Sequence, residues 1–332
     1  MKRVLLTGAN GFVGLNIAQA LLQQGYEVRA WVRPSSNTQY LESMAVEIRR
    51  GEFPDQAALQ DAMTGCEYVI HTAGNTSCRN SDLPALTAVN VDGTRAVVDA
   101  AVHAGVRRLV YTSTTSTIGS RRHRDRGADE QTRLRGFRAR SPYALTKQQA
   151  ENIVLAAQSQ GLEVVILNLA EVIGGYDHNL QWGRMVLAVN FNQVPFVPPG
   201  GGSFCSASDA AMAHVNALTR GRSGSRYIIS GADHRFAEFI EEIRRQLKRT
   251  DPLPQANCVL LWLQARGHEL LPGIFRDPPL VESYRIRVFG GEHYFDAGKA
   301  RRELAYQHSS LQVMVKECID WYRQNGFLTG PV

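Results

Sequence analysis

Two residues in the stretch SPYALTKQQAE, residues 141–151, are of types that together can move a proton: Tyr143 and Lys147. A spacing of four is just over one helical turn, so on a helix both side chains leave the same face. A phenol is a poor acid near neutrality, because its ordinary pKa is about 10. A neighbouring ammonium stabilises the phenolate and is expected to pull that pKa down. On an exposed helix the same pair does almost nothing, and the spacing arises often by chance. What the chain builds around the pair has to decide.

The elements that would position it alternate. Residues 3–7, RVLLT, are a short apolar β-rich run, followed by Gly-Ala-Asn-Gly and an amphipathic helix that Gly25 ends. Further strands are expected at 27–32, 46–49, 68–71, 108–112 and 162–168, with helices at 55–63, 83–104 and 143–159. Apolar strands separated by helices specify a parallel sheet covered on both faces. Right-handed crossovers then make it doubly wound. The fold class is α/β: a Rossmann doubly wound parallel sheet with helices on both faces and a smaller C-terminal substrate lobe.

Gly8, Gly11 and Gly14 follow the first strand and open the first helix. Glycines there allow a tight turn and let the backbone approach a pyrophosphate, whose charge sits at the helix N-terminus. The alternative is a glycine turn needed only for close helix–strand packing, but the position directly after strand one favours dinucleotide binding. The second strand ends in AWVRPSS, with Arg33 where an acidic residue would bind ribose hydroxyls, and Ser35 and Ser36 beside it. A guanidinium pairs with a 2′-phosphate that a carboxylate would repel. NADP(H) is therefore the expected cofactor, with NAD(H) less favoured. Residues 1–174 form the NADP-binding domain. Residues 175–332 form mainly the substrate lobe, with shorter helices at 179–191, 208–219, 235–248 and 310–325 and some later segments returning to the first domain.

The bulk properties set bounds. The chain has 332 residues, 44% apolar and 20% charged, with a net charge of +6. That suits a soluble globular enzyme. No apolar run is long enough to span a membrane, and the opening MKRVLLTGANGFVG reads as a strand rather than a leader. Cys66, Cys78, Cys205, Cys258 and Cys318 are scattered, without metal spacing, so free thiols in a cytoplasmic protein are expected and no metal. Between Gly119 and Tyr143, eight arginines face three acids. Nucleic-acid binders repeat basic residues along a face with aromatics between them, so a single basic loop argues against that class.

These residues resemble the extended short-chain dehydrogenase/reductase family. TGANGFVG at the start, HTAG at 71–74, VNVDGT at 89–94, VYTSTTSTIG at 110–119 and YALTK at 143–147 stand in the family's order. VILNLAEVIGG at 165–175, GRSGSRYIISGADH at 221–234 and FDAGKARRELAYQ near the C-terminus are similar to the dihydroflavonol-reductase-like branch, including hopanoid-associated epimerase-like proteins. The resemblance implies a catalytic set of Thr114, Tyr143 and Lys147. It implies cofactor contacts from Thr7, Gly8, Asn10, Gly11, Phe12, Val13, Gly14, Arg33, Glu52 and Phe53. It adds Thr72, Ala73, Lys147, Asn168, Leu169 and Val172 to these, and Asn75, Thr115 and Tyr143 on the substrate side. It also implies a homodimer through helices 83–104 and 143–159. Leu169 replaces a customary proline, and FCSASD at 204–209 replaces a common F-V-H-V-D-D pattern, so substrate inference weakens more than chemistry.

Three readings compete. The favoured one is an NADPH-dependent ketone or aldehyde reductase, with Tyr143 protonating the alkoxide as hydride arrives. A nucleotide-sugar epimerase is the alternative, and a non-catalytic NADP-sensing protein the third. Dehydratases of this superfamily carry Asp and Glu after the triad Thr, where this chain has Thr115 and Ser116. Sugar-nucleotide enzymes tend to place an arginine where this chain has Gly201, Gly202, Ser203 and Phe204. Sensors usually lose the Tyr or the Lys. The arginine segment reads first as a solvated loop, with a clamp for an anionic or carrier-bound carbonyl substrate as the alternative. His71, His178 and His214 show no partners in the sequence and read as structural.

Overall fold

The computed structural model describes residues 2–122, 124–194, 196–253, 258–270 and 290–328. Seven parallel strands form the main sheet: β1 (Arg3–Thr7), β2 (Glu27–Val32), β3 (Val46–Arg50), β4 (Tyr68–His71), β5 (Arg108–Thr114), β6 (Glu163–Leu169) and β9 (Ser225–Ile229). Their order is β3-β2-β1-β4-β5-β6-β9. The order reverses at β1, so the crevice at its carboxyl end is the topological switch point where such sheets bind ligands.

Alternation along each strand explains the layers. Val4, Leu6, Val28, Ala30, Val165 and Leu167 pack on one face of the sheet. Helix α1 (Phe12–Gln23) covers that face, and α8 (Ala207–Ala217) packs against α1. Leu5, Val69, Leu109, Tyr111, Val164 and Ile166 pack on the other face. There they meet α3 (Gln56–Met63), α5 (Gly93–His103) and α6 (Pro142–Ala156). Between β2 and β3 lies the single turn α2 (Gln39–Glu42).

The helix expected at 83–104 is continuous but not uniform. It starts as α4 (Leu83–Leu86), passes through a π-helical stretch at Thr87–Asp92 and continues as α5. Thr94 Oγ1 donates to the Asn90 carbonyl at 2.6 Å inside the widened turn. β9 was not anticipated. It is a five-residue strand reached only after the chain has left the first domain, and it completes the sheet edge beside β6. Helix 208–219, read with the lobe, corresponds to α8 and lies on the large sheet instead, because its small Ala210, Ala211 and Ala217 let it approach α1 closely.

The lobe has its own small sheet. β8 (Gly201–Ser206) sits between β10 (Ala232–Arg235) and β11 (Glu292–His293), and β7 (Glu171–Ile173) also pairs with β8. Helices α7 (Gly183–Asn190), α9 (Phe236–Gln246) and α12 (Leu311–Gln324) close over it. Their core holds Phe204, Phe239, Val186, Met314 and Tyr322. Two further helices complete the chain, α10 (Cys258–Leu270) and α11 (Gly298–Leu304), the latter against β9. Among the described residues no helix is long and apolar enough to cross a membrane.

Candidate active site

The glycine loop fits a pyrophosphate. Gly8 takes φ +69°, and a Cβ there would lie 2.6 Å from the Ala73 amide nitrogen. A Cβ on Gly14 would lie 2.1 Å from the Gly8 carbonyl oxygen. The loop therefore folds back on itself beside β4 only without side chains. α1 has Gly11 as its N-cap, no side-chain cap and no acid in its first turn, so its end N–H groups are available to an anion. Phe12 is buried, Val13 packs against the helix–sheet core, and Asn10 Nδ2 reaches the Asn37 carbonyl at 3.4 Å. Arg33 is exposed just past β2. Arg50, which the sequence reading passed over, donates to the Pro34 and Ser36 carbonyls at 3.0 and 3.2 Å and so shapes that loop. Glu52 is exposed after β3, and Phe53 packs edge-on to His71.

Thr7 is placed differently from the other loop residues. It is fully buried, and its hydroxyl meets His71 Nδ1 at 2.6 Å. Since Thr94 donates to Asn90, His71 Nε2 supplies the proton to Thr94 Oγ1 at 3.0 Å. Burial beside Lys147 pushes the His71 pKa down to about 3, so the ring is neutral. His214 is likewise buried, between Thr112 Oγ1 and the Ala210 carbonyl, with its pKa lowered to about 4 by desolvation. His178 meets the Tyr176 carbonyl. The three histidines thus have partners the sequence did not reveal. Thr72 and Ala73 follow β4 beside the glycine loop.

Tyr143 and Lys147 lie on α6, and Pro142 at its start is preorganised for a first helical turn. Thr114 closes β5, where its hydroxyl accepts from the Ser116 amide at 3.1 Å, and it lies beside Tyr143. Lys147 is buried, and its Nζ donates to the Thr112 carbonyl at 2.8 Å and the Tyr111 hydroxyl at 2.5 Å. The pKa of the pair departs from the expectation that an ammonium would acidify the phenol. Desolvation raises the Tyr143 pKa, the neighbouring Thr114 hydroxyl opposes this, and no lowering by Lys147 contributes. Burial also lowers Lys147, to about 7. Desolvation outweighs the mutual attraction here, because each charged form loses water. Tyr143 therefore keeps its proton, which is the form a general acid needs.

Below the pair is a residue the sequence reading missed. Glu151 continues the stripe one turn beyond Lys147 and is fully buried. Its Oε1 accepts from Ser113 at 2.5 Å, Thr117 at 2.8 Å and Asn168 Nδ2 at 2.7 Å, while Arg226 reaches Oε2 at 3.0 Å. Asn168 is fully buried and gives its Nδ2 to this network, while its Oδ1 has no partner among the described residues. The four-residue spacing 143, 147, 151 was its one signal. Leu169, which ends β6, is buried, and Val172, inside β7, is half-buried. Asn90, from the π-helical stretch, exchanges two hydrogen bonds with the Asn75 backbone and donates to Thr146 at 3.2 Å. It ties the loop after β4 to α6.

A cleft partly open to solvent lies between the sheet edge and the lobe. Thr115, Ser116, Arg138, Ser141, Ala144 and Glu171 line it on one side, Gly201, Gly202, Ser203 and Phe236 on the other. The arginine segment is its strap. Arg121 and Ala128 bridge to Tyr294 and Phe295, Arg124 pairs with Glu238 at 3.0 Å, and Arg138 reaches the cleft. The segment's backbone is therefore anchored at several points, while seven of its eight arginines, all but Arg138, stay exposed.

Residues 4–230 match the model of the NAD dependent epimerase/dehydratase family. The chain is 32% identical over 333 residues to a putative dihydroflavonol 4-reductase of Synechocystis sp., covering 97% of this chain and 95% of that one. It is 30% identical over 331 residues to sterol demethylase protein B of Methylococcus capsulatus, covering 98% and 99%. Among solved structures, a nucleoside-diphosphate-sugar epimerase from Pseudomonas aeruginosa superposes with a TM-score of 0.78 at 25% identity, covering 99% of each chain. Sequence, fold and site geometry agree that this chain belongs to the NAD dependent epimerase/dehydratase family.

Proposed function

We propose that the protein is an NADPH-dependent reductase of ketones or aldehydes. The observation that carries this is the constellation at the end of β5: Tyr143, half-buried and with its pKa raised by desolvation, beside Thr114, with Lys147 one turn further along the same helix. The cofactor, when bound, supplies the hydride. Thr114 and Tyr143 hold the carbonyl oxygen, and Tyr143 gives it a proton as negative charge develops. Lys147, fixed by Thr112 and Tyr111, orients the cofactor's ribose. Arg33 favours the 2′-phosphate of NADPH. Thr115 and Ser116 carry no carboxylate for dehydration, and no arginine occupies 201–204 for a sugar diphosphate.

Arg138 in the cleft is the feature that favours the epimerase alternative, since it could meet a diphosphate. The test is NADPH oxidation over aldehydes, β-keto acids, flavanonols and steroid ketones, with UDP-glucose and UDP-galactose as a counter-screen and Tyr143→Phe as control. Carbonyl-dependent NADPH consumption, absent in the variant, supports the reading. Interconversion of the sugars without net NADPH loss overturns it. NADPH binding with neither activity leaves a sensor. We place a two-subunit assembly on the continuous helix from α4 through α5 and on α6, where Leu83 and Leu145 are 44% and 42% exposed. A monomer in sedimentation at micromolar concentration overturns that placement.

A further inference from the structure

His71 is a fully buried polar residue to which the mechanism gives no task. It ends β4 at the carboxyl edge of the sheet, in register with Thr7 of β1 on one side and Tyr111 of β5 on the other. By strand alternation it shares a face with Val69, which packs in an apolar cluster. An imidazole in such a place is costly unless both ring nitrogens are satisfied. Both are, and the partners run in one direction. The Ala73 amide donates to Thr7 at 3.4 Å, the Thr7 hydroxyl to His71 Nδ1, His71 Nε2 to Thr94, and Thr94 to the Asn90 carbonyl at 2.6 Å. The Asn90 side-chain amide continues to Thr146, whose hydroxyl lies 3.0 and 3.1 Å from the Pro142 and Tyr143 carbonyls.

This chain starts at the root of the glycine loop and ends on the first turn of α6, which carries Tyr143. Thr7, His71, Thr94, Asn90 and Thr146 are each no more than 1% exposed. A shift of either end would break a bond that no water replaces, so the chain resists displacement more steeply than apolar packing does. The imidazole also meets two rings of the site: Tyr111, which holds Lys147, at 5.5 Å, and Phe53 at 5.9 Å. Burial keeps it neutral, so it serves as a strut and not as an acid or base. Hydride transfer coupled to protonation needs a cofactor and a phenol held at a fixed separation, which is what a strut between their two supports supplies.

We propose that His71 is a positioning residue: through Thr7 on one side and Thr94, Asn90 and Thr146 on the other, it fixes the phosphate loop relative to the helix that carries Tyr143. The kinetic part rests on the reductase reading, and the experiment separates the two. Wild type, His71→Phe, Thr94→Val and the double variant are compared. The first readout needs no turnover. Amide hydrogen exchange of residues 142–147 is followed with and without 2′-phospho-ADP, a probe that has the diphosphate and lacks the nicotinamide riboside. The probe is expected to slow that exchange by about fivefold or more in the wild type. In each single variant the glycine loop stays protected, and the slowing at 142–147 falls below about twofold. The double variant loses no more than either single one, because both cut one chain. The second readout is ketone reduction with NADPH and its deuterated form. His71→Phe should lower kcat by about tenfold to a hundredfold, with KM for NADPH within about threefold and a larger deuterium isotope effect. No slowing in the wild type, undiminished slowing in His71→Phe, or effects of the two variants that multiply overturns the proposal. If His71→Phe does not fold, Thr94→Val decides by the same exchange measurement. A wild type that binds NADPH and reduces no ketone overturns the reductase reading, and the exchange measurement still decides this one.

Discussion

At the scale of single residues, burial rather than pairing governs the site. Tyr143 holds its proton because its phenolate would be desolvated, and Thr114 is the neighbour that eases this. Tyr143→Phe is expected to lower kcat for carbonyl reduction by about 10²–10⁴-fold with NADPH affinity retained, read by steady-state kinetics and nucleotide fluorescence titration. A loss under fivefold would remove Tyr143 as the acid. Lys147 gives a second readout. Its pKa falls from 10.5 to about 7 in the folded protein, so between those values the unfolded chain binds more protons. Stability contributed by this group therefore rises with pH from about 7 to about 10.5, and below 7 the cost of burying the ammonium is felt in full. Without cofactor, the wild type should gain about 2–3 kcal/mol on Lys147→Met between pH 7 and pH 9, in paired urea titrations. Parallel pH profiles would show that the lysine is not desolvated.

At the scale of elements, the site depends on how α6 is fastened to three strands. Glu151 joins α6 to Ser113 on β5, Asn168 on β6 and Arg226 on β9. Replacing it by alanine leaves Arg226 without its carboxylate and three side chains without their acceptor. Glu151→Ala should destabilise the fold by about 3–5 kcal/mol, measured by chemical denaturation. It should also lower kcat, because the helix that carries Tyr143 and Lys147 loses its fixed height above the sheet. Unchanged stability would mean that the network is incidental. The β2 end makes a separate prediction. Arg33→Asp should shift the kcat/KM ratio from NADPH towards NADH by about a hundredfold, since a carboxylate repels the 2′-phosphate and accepts from ribose hydroxyls. An unaltered ratio would move cofactor choice to another group.

At the scale of the whole molecule, the cleft exists only where the lobe closes on the carboxyl edge of the sheet, with the 115–141 strap between them. A ligand that binds this folded arrangement and not the unfolded chain stabilises it by mass action. NADPH at a hundred times its Kd should therefore raise the unfolding free energy by about 2.7 kcal/mol, seen as a concentration-dependent rise in Tm. NADH at the same concentration should do less. Equal shifts would contradict the proposed preference.

The sequence by itself determined what is local. The order of strand, glycine loop and helix, and the four-residue spacing of Tyr143 and Lys147, are set within about one turn or one strand of chain, where backbone geometry leaves little choice. Most strand positions of the main sheet were legible for the same reason, from runs of buried apolar residues. Contacts through space were not. β9 joins β6 across some sixty residues, Arg226 reaches Glu151 from another element, and Lys147 meets Tyr111 rather than the phenol one turn away. The tertiary structure decided these, because desolvation and the partners a buried polar group finds depend on which distant segments pack around it.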